Sequence, residues 1–264
     1  MHYIREGRGR PALVFVHGFS CESGDWAPQT SVLKDRFEVV ACDLRAHGKT
    51  PGRPEECSIE HFGGDVAALV SVLNLVKPIL IGHSMGCRVV LHAARLAPEQ
   101  VGGLVLVDGS RLGGATAEEA EALGRAAIEK QGYAAFSANL FSQMFVPGSR
   151  NAAAILARVA ARPPEIGTAL WPRMARWDAG EMEGALAAVR CPLLAIQSTT
   201  RDPVTLARRP LRAGETSGWL DLVRERVKGA RIEVIPGVGH FTGLDAPEEV
   251  NRLIGGFAAE LAAT

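Results

Sequence analysis

One serine in this sequence stands in a setting that is typical of a nucleophile. Ser84 is the central residue of a Gly-x-Ser-x-Gly pattern, which follows the apolar run 78–81 and precedes a helical pattern. In so tight a strand-to-helix turn the flanking residues, Gly82 and Gly86, have no room for side chains, and the serine hydroxyl projects outward. The first turn of the helix also directs free N–H groups at the hydroxyl. The pattern therefore predicts a nucleophilic serine.

A serine hydroxyl is a weak nucleophile at neutral pH, so a general base must take its proton. Among the seven histidines, we predict His240 as this base because it follows the last predicted strand in a Gly-x-Gly-His loop. His17 follows the first long strand, and we expect it instead to hold the backbone of the loop after it. The N–H groups of Phe19, in that loop, and of Met85, directly after the serine, are predicted to form an oxyanion hole.

Composition limits the classes of partner. The chain has 264 residues, 47% of them hydrophobic, which is enough for one domain with an insertion. Acidic and basic residues balance at 29 each, so we expect neither a nucleic-acid groove nor a polybasic membrane surface. We see no signal peptide and no apolar run that could span a bilayer. The five scattered cysteines predict free thiols in a reducing compartment, and hence a cytoplasmic protein.

Strands and helices alternate over most of the chain. Short apolar runs predict strands at 12–16, 37–41, 78–81, 101–107, 192–197 and 231–235. This alternation predicts an α/β fold with a mostly parallel, doubly wound sheet. Between 113 and 187 the sequence is helical and rich in alanine, and prolines such as Pro172 are expected to separate its helices. We therefore predict a core domain of 1–112 and 188–264 with a helical cap, 113–187, inserted into it.

Parallel strands collect functional residues at their carboxyl ends. Five polar residues lie directly after predicted strands and are expected to share one edge of the sheet: His17, Asp43, Ser84, Asp108 and His240.

The chain resembles the α/β-hydrolase superfamily in four motifs: His17-Gly18-Phe19, Asp43-Leu44-Arg45-Ala46-His47-Gly48, Gly82-His83-Ser84-Met85-Gly86 and Gly237-Val238-Gly239-His240-Phe241. Their order and spacing are those of its small serine esterases, C–C bond hydrolases and lactonases. The resemblance covers nearly the whole chain except 113–187, where the family carries a variable helical cap. It implies an α/β-hydrolase fold with Ser84 as nucleophile, His240 as general base and the amides of Phe19 and Met85 as oxyanion hole.

The acid of the catalytic triad is where the sequence departs from this family. The family usually places its acid after the strand before the last one, in a motif like Gly-Asp-x-Asp-x-x. Here the segment 196–203 lacks that glycine and the first aspartate, and it is one residue longer before Asp202. Some family members instead use the end of the strand after the nucleophile helix, which is Asp108 in this chain. We favour Asp108 and keep Asp202 as the alternative, with Asp221 as a third candidate.

Three further residues are candidates for contact with substrate: Trp26, Arg111 and Phe141. Each has a second interpretation, since Trp26 and Phe141 are apolar residues suited to packing and Arg111 is suited to a structural ion pair. No cluster of ligating residues predicts a metal site. Gly7 to Gly9 precede a strand and not a helix, so they do not fit a phosphate-binding loop. The sequence thus predicts no cofactor.

The sequence predicts a serine hydrolase that cleaves a carboxylic ester, thioester or lactone through an acyl-enzyme on Ser84. The resemblance implies a C–C bond hydrolase, or a cofactor-independent lyase or oxygenase, as the alternative. A non-catalytic small-molecule receptor is the alternative from another class. In each case the expected partner is a small molecule, with no nucleic acid and no membrane, and the protein is expected to be a monomer or a homodimer.

Overall fold

A central β-sheet organises the molecule, for which the computed structural model describes residues 1–202 and 207–263. In chain order the strands are β1 (Tyr3–Glu6), β2 (Leu13–Val16), β3 (Val39–Cys42), β4 (Ile79–His83), β5 (Gly103–Val107), β6 (Leu193–Gln197), β7 (Thr199–Arg201), β8 (Arg208–Pro210) and β9 (Arg231–Val234). Seven of them form one sheet in the order β1-β3-β2-β4-β5-β6-β9, whereas β7 and β8 pair separately. Only β1 runs antiparallel to its neighbour in the seven-stranded sheet; the other pairs are parallel.

Helices cover both faces of this sheet and make up most of the segment 113–187. They are α1 (Ala27–Leu33), α2 (Ile59–Val72), α3 (Met85–Leu96), α4 (Ala117–Glu129), α5 (Tyr133–Ser142), α6 (Ala152–Ala161), α7 (Pro164–Gly180), α8 (Met182–Ala187), α9 (Gly218–Arg226), α10 (Thr242–Asp245) and α11 (Pro247–Ala262). No helix within the described residues combines the length and the apolarity needed to cross a bilayer.

The inner strands are apolar throughout because both of their faces are covered. Every residue of β2, β4, β5 and β6 is buried. Alternate residues of β2 belong to different cores: Val14 packs in the core that includes α2 and α3, and Phe15 packs in the one that includes α1 and α11. A continuous apolar strand is the expected sequence for such a position. The prediction of a mostly parallel, doubly wound sheet is confirmed.

The segment 113–187, for which the sequence predicts a helical cap, contains α4 to α8 and no strand among its residues, all of which the structure describes. The prediction that Pro172 separates two helices is wrong, because α7 continues past it to Gly180. Proline removes one main-chain hydrogen bond, and close packing against α4 compensates. A Cβ on Gly124 of α4 would lie only 3.0 Å from the Cα of Pro172.

The polar stretch 198–218, for which the sequence predicts no strand, contains the β7–β8 hairpin. Its strands are too short and too polar for an alternating pattern to show them. The hairpin directly follows β6, so it lies at the carboxyl edge of the sheet, where the predicted polar residues also collect.

Candidate active site

Ser84 lies in the sharp turn between β4 and α3. Its φ is 55° and its ψ is −112°, a conformation that is costly for a residue with a Cβ. Close contacts between main chains enforce the turn, because a Cβ on Gly82 would lie 2.3 Å from the oxygen of Gly86, and a Cβ on Gly86 would lie 2.3 Å from the oxygen of Val16. The expectation that the flanking positions have no room for side chains is confirmed.

Ser84, His240 and Asp108 form a continuous chain of hydrogen bonds. Ser84 Oγ lies 2.8 Å from His240 Nε2, and His240 Nδ1 lies 2.5 Å from Asp108 Oδ2. Because an ionised carboxylate can only accept, Nδ1 carries the ring proton and Nε2 is left to accept the hydroxyl proton of Ser84. The arrangement matches the needs of nucleophilic catalysis by a serine.

Asp108 is fully buried and receives several hydrogen bonds. Its Oδ1 accepts from the N–H groups of Ser198 and Thr199 at 2.9 and 2.8 Å. Its Oδ2 accepts from the hydroxyl of Thr199 at 2.6 Å, in addition to the bond from His240. Arg208 Nη1 lies 3.5 Å from the same Oδ2 and donates to the Thr199 hydroxyl at 2.6 Å. The β7–β8 hairpin therefore orients this carboxylate.

These contacts set the protonation states of the pair. Burial acts to raise the pKa of Asp108, but its hydrogen bond to His240 and the charges of His240 and Arg208 lower that pKa to about 2. Burial lowers the pKa of His240 to about 3, and Arg208 acts in the same direction, whereas Asp108 opposes both. At neutral pH the carboxylate is thus ionised and the imidazole is free to accept a proton.

The other two candidate acids lie elsewhere. Asp202 follows β7, and its Oδ2 lies 3.9 Å from Arg209 Nε. Asp221 is exposed on α9. Since Nδ1 of His240 already bonds to Asp108, the geometry favours Asp108 as the acid.

His17 sets the direction of the peptide between Gly18 and Phe19. The N–H of Leu44 donates to His17 Nε2 at 3.1 Å, so the ring proton is on Nδ1, which donates to the oxygen of Gly18 at 2.8 Å. The C=O and N–H of a trans peptide point in opposite directions. The N–H of Phe19 is therefore directed away from His17. These contacts support the expected role of His17, which is to hold the backbone of the loop that follows it.

Two free N–H donors belong to the residues predicted for the oxyanion hole. Among the described residues, no acceptor takes a hydrogen bond from the N–H of Phe19 or of Met85. Met85 begins α3, where an N–H has no partner within the helix. The loop before Phe19 lies against the nucleophile, since a Cβ on Gly18 would lie 3.2 Å from Ser84 Cβ. Donors so placed can stabilise a developing negative charge.

The segment 113–187 also contacts the loop after β2, which carries Phe19. Arg162, at the end of α6, donates to the backbone oxygens of Ser20 and Cys21 at 2.9 and 2.7 Å. Arg158 of the same helix donates to Asp25 at 2.6 Å. The position of the loop therefore depends on α6.

The loop that carries the base is fixed through its backbone. The N–H of His240 donates to the oxygen of Met144 at 2.8 Å, and the oxygen of His240 lies 2.8 Å from His83 Nε2. Ser198 donates to the oxygen of Gly239 at 2.9 Å. His83 thus holds the backbone of the loop that carries His240.

Two adjacent cavities, of about 450 and 500 Å³, lie on the Asp108 side of the site. They share five lining residues: Leu112, Gly113, Gly114, Arg201 and Arg208. The smaller cavity continues along 109–111 to Trp219, and the larger one continues between α4, α5 and α7 to Trp171. The ring of Trp171, which lines the larger cavity, lies 5.6 Å from that of Phe19. Both volumes are in the range of small-molecule sites.

The three residues predicted to contact substrate have different positions. Arg111 lines the smaller cavity, but its guanidinium pairs with Glu183 at 2.8 Å. Phe141 is buried, with its ring 6.4 Å from that of Phe19, and it borders neither of the two cavities. Trp26 also borders neither cavity and packs 5.1 Å from Phe15 in the core.

Three residues of the hairpin were missed by sequence reasoning: Thr199, Arg201 and Arg208. The extra length of the segment before Asp202 and the arginines in and after that segment are visible in the sequence. The pairing of β7 with β8, which turns these side chains toward Asp108 and the cavities, is not.

Comparisons of the sequence and of the structure with known proteins point to the same family. The sequence model described as the alpha/beta hydrolase family matches residues 13–253. The 3-oxoadipate enol-lactonase 1 of Acinetobacter baylyi is 28% identical over 258 residues, covering 95% of this chain and 90% of that protein. The structure of a thermophilic esterase from Thermogutta terrifontis has a TM-score of 0.80 at 24% identity, covering 98% of this chain and 93% of that one.

Several other curated relatives match over a shorter stretch. The 2-(acetamidomethylene)succinate hydrolase of Mesorhizobium japonicum, for example, is 32% identical over 105 residues, which are 40% of this chain and 38% of that protein. The chain thus spans less than half the length of these relatives.

Proposed function

The chain belongs to the alpha/beta hydrolase family, and we propose that it hydrolyses a carboxylic ester or lactone of a small molecule through an acyl-enzyme on Ser84. One observation carries the proposal: the unbroken hydrogen-bonded chain from Ser84 Oγ through His240 to Asp108, with contacts of 2.8 and 2.5 Å. The full-length similarity to an enol-lactonase supports the choice of substrate class.

Acylation follows from the positions of these groups. Ser84 Oγ attacks the carbonyl carbon while His240 Nε2 takes the hydroxyl proton, and Asp108 stabilises the imidazolium that forms. The resulting oxyanion accepts hydrogen bonds from the N–H groups of Phe19 and Met85. When the intermediate collapses, the C–O bond of the substrate breaks and the leaving alkoxide takes the proton from His240. The acyl group is then esterified to Ser84.

Deacylation repeats the same steps with water. His240 Nε2 takes a proton from a water molecule, whose oxygen attacks the acyl carbon, and the same two N–H groups stabilise the second oxyanion. Collapse returns the proton to Ser84 Oγ and releases the carboxylic acid. One ester and one water thus give one acid and one alcohol, or a hydroxy acid when the substrate is a lactone.

The first prediction tests these roles with a fluorophosphonate label and with 4-nitrophenyl esters of short and medium chain length. We expect the wild type to be labelled and to release nitrophenol, and Ser84→Ala to lose both. His240→Ala should lose turnover, and Asp108→Asn should reduce kcat by roughly 10⁴-fold, because the amide no longer holds the ring in the required tautomer.

Asp202→Asn is the matched control, since Asp202 is the alternative acid and lies beside Arg209 in the hairpin. We expect it to retain most of the activity. A larger loss in Asp202→Asn than in Asp108→Asn would refute the assignment of the acid. A wild type that neither labels nor turns over any ester or lactone would overturn the hydrolase proposal and favour a binding role.

A further inference from the structure

The arginines on the two faces of the β7–β8 hairpin have different surroundings. Arg201 and Arg208 are directly opposite each other in the register, as are Thr200 and Arg209. Arg209, on one face, forms a bidentate pair with Glu215. Arg201 and Arg208 share the other face and line both cavities. The hairpin therefore presents two cations to the cavities beside the active site.

The cavity-facing arginines are poorly compensated. Within 1–202 and 207–263, no carboxylate oxygen lies within 4.0 Å of the guanidinium of Arg201. Arg208 has Asp108 at 3.5 Å, but that carboxylate already accepts from His240 and Thr199. Of the nitrogens of the Arg208 guanidinium, only Nη1 donates to a described residue. The Arg208 side chain lines both cavities and is 9% exposed.

This pairing is unfavourable for the protein alone. Like charges directly opposite each other in an antiparallel pair destabilise it. Burial lowers the pKa of Arg208 to about 10, and the charges of Arg201 and Arg88 act in the same direction, whereas Asp108 opposes them. Arg88, in contrast, is neutralised by the buried carboxylate of Asp178 at 2.6 Å. An anion between Arg201 and Arg208 would remove the repulsion.

We propose that Arg201 and Arg208 bind a carboxylate group of the substrate, so that the preferred substrate is an ester or lactone that carries a second, free carboxylate. Guanidinium groups present several N–H donors in a planar fork that matches a carboxylate. Arg208 Nη1 lies 3.5 Å from Asp108 Oδ2, so a carboxylate bound by the two arginines would lie at the acid end of the hydrogen-bonded chain that leads to Ser84. The proposal rests on the proposed function for the reaction, but the anion site itself can be tested without turnover.

The kinetic test compares two esters of equal chain length, mono(4-nitrophenyl) adipate and 4-nitrophenyl hexanoate. The measured quantity is the ratio of their kcat/KM values. In Arg201→Met we expect the ratio to fall roughly 10- to 100-fold relative to the wild type, because a hydrogen-bonded charge pair is lost. Arg201→Lys keeps the charge without the fork and should recover part of the ratio. Arg201 is the primary target because Arg208 also contacts Asp108.

Arg209→Met is the matched control, because it removes the arginine on the opposite face of the same hairpin. It should leave the ratio as in the wild type. A ratio in Arg201→Met equal to that of the wild type would overturn the proposal, and an equal fall in Arg209→Met would show that only the general charge of the hairpin matters.

Binding separates this proposal from the hydrolase proposal. In the Ser84→Ala variant, adipate should raise Tm and hexanoate should not, and the effect of adipate should disappear when Arg201→Met is added. Stabilisation by inorganic phosphate greater than that by adipate would overturn the assignment of a carboxylate. If the wild type turned over no ester, the hydrolase proposal would fail, and the adipate shift would still decide the anion site.

Discussion

The two ends of the hydrogen-bonded chain are held in place by different means. At the nucleophile end, main chains pack so closely that a Cβ on Gly82 or Gly86 would lie 2.3 Å from a backbone oxygen. At the acid end, Asp108 is held by hydrogen bonds from Ser198 and Thr199, which are 90 and 91 positions further along the chain. Steric exclusion shapes the first end, and polar contacts from a distant hairpin shape the second.

This difference has consequences for tolerance to change. A main-chain contact at 2.3 Å cannot be relieved by a rotamer change, so the nucleophile end admits only glycine at two positions. A carboxylate can be oriented by many arrangements of donors, and the backbone N–H groups that hold Asp108 do not depend on side-chain identity. Changes to the glycines that pack around Ser84 should therefore be more damaging than changes to the side chains that donate to Asp108.

Among changes outside Ser84, His240 and Asp108 themselves, Gly86→Ala should give the largest loss of activity. The new methyl group would displace β2 from α3 and move Ser84 away from His240, and a shift of about 1 Å in a catalytic group can cost about 100-fold in rate. We expect kcat/KM to fall by at least that factor, with a lower Tm, measured by ester hydrolysis and by thermal unfolding.

Gly64→Ala in α2 is the control for the added methyl group, because a Cβ at Gly64 would meet no atom within 4 Å. It should stabilise the protein by about 0.5–1 kcal/mol through helix propensity and leave activity unchanged. Wild-type activity in Gly86→Ala would contradict the steric account of the nucleophile end.

The same contrast explains which parts of the site the sequence predicts. Ser84 is recognisable because strand, turn and helix follow one another within a single short segment. Apolar runs likewise predict the buried strands, because a strand covered on both faces contains few polar residues. Where the signal is local, the structure agrees with it to within a few residues.

The identity of the acid cannot be predicted from local sequence patterns alone. Asp108 and Asp202 both follow predicted strands, and the choice between them depends on how the hairpin folds onto β5. Pro172 shows the same limit of local patterns. Proline breaks an isolated helix, but Pro172 lies inside α7 because tertiary packing compensates for the lost hydrogen bond. The positions of Trp26 and Phe141 depend on side-chain packing, which periodicity does not resolve.

Asp178→Ala should mainly lower the stability of the fold, because it removes the counter-ion of Arg88, a residue that joins the two ends. Arg88 donates to the backbone oxygens of Ser84 and Ser110, at 3.3 and 2.8 Å, while Asp178 of α7 neutralises it. Loss of Asp178 leaves a buried cation without a partner. We expect the free energy of unfolding to fall by about 3–5 kcal/mol, measured by urea denaturation.

Replacing both partners, as Arg88→Met with Asp178→Leu, should recover much of that stability, because no buried charge is left uncompensated. Arg252→Ala, which breaks an exposed pair with Glu249 on α11, should change stability far less. Equal losses in Asp178→Ala and Arg252→Ala would show that the buried pair does not hold the segment 113–187 on the core.

Thr199→Val, at the acid end, should have the smallest effect of the three. It removes the hydroxyl that donates to Asp108 Oδ2 and accepts from Arg208 Nη1 but keeps the backbone N–H that donates to Oδ1. Loss of one hydrogen bond to a charged group corresponds to roughly a 10-fold fall in kcat/KM. Thr199→Ser keeps the hydroxyl and should retain most of the activity. If kcat/KM fell as far in Thr199→Val as in Gly86→Ala, the nucleophile end and the acid end would be equally sensitive to change, which would contradict this comparison.

The pH dependence of stability gives this variant a second readout. Because the folded-state pKa of Asp108 is lowered to about 2, its ionised form contributes stability that is present above the unfolded pKa of about 3.9 and is lost as pH falls toward 2. Without the Thr199 hydroxyl the folded-state pKa rises toward the unfolded value, so this contribution is smaller and its loss is complete at a higher pH. The stability of Thr199→Val relative to wild type should therefore be lower at pH 7 and converge with it near pH 2, measured by urea denaturation across that range. A stability difference that is independent of pH would mean that the hydroxyl acts on packing and not on the charge of Asp108.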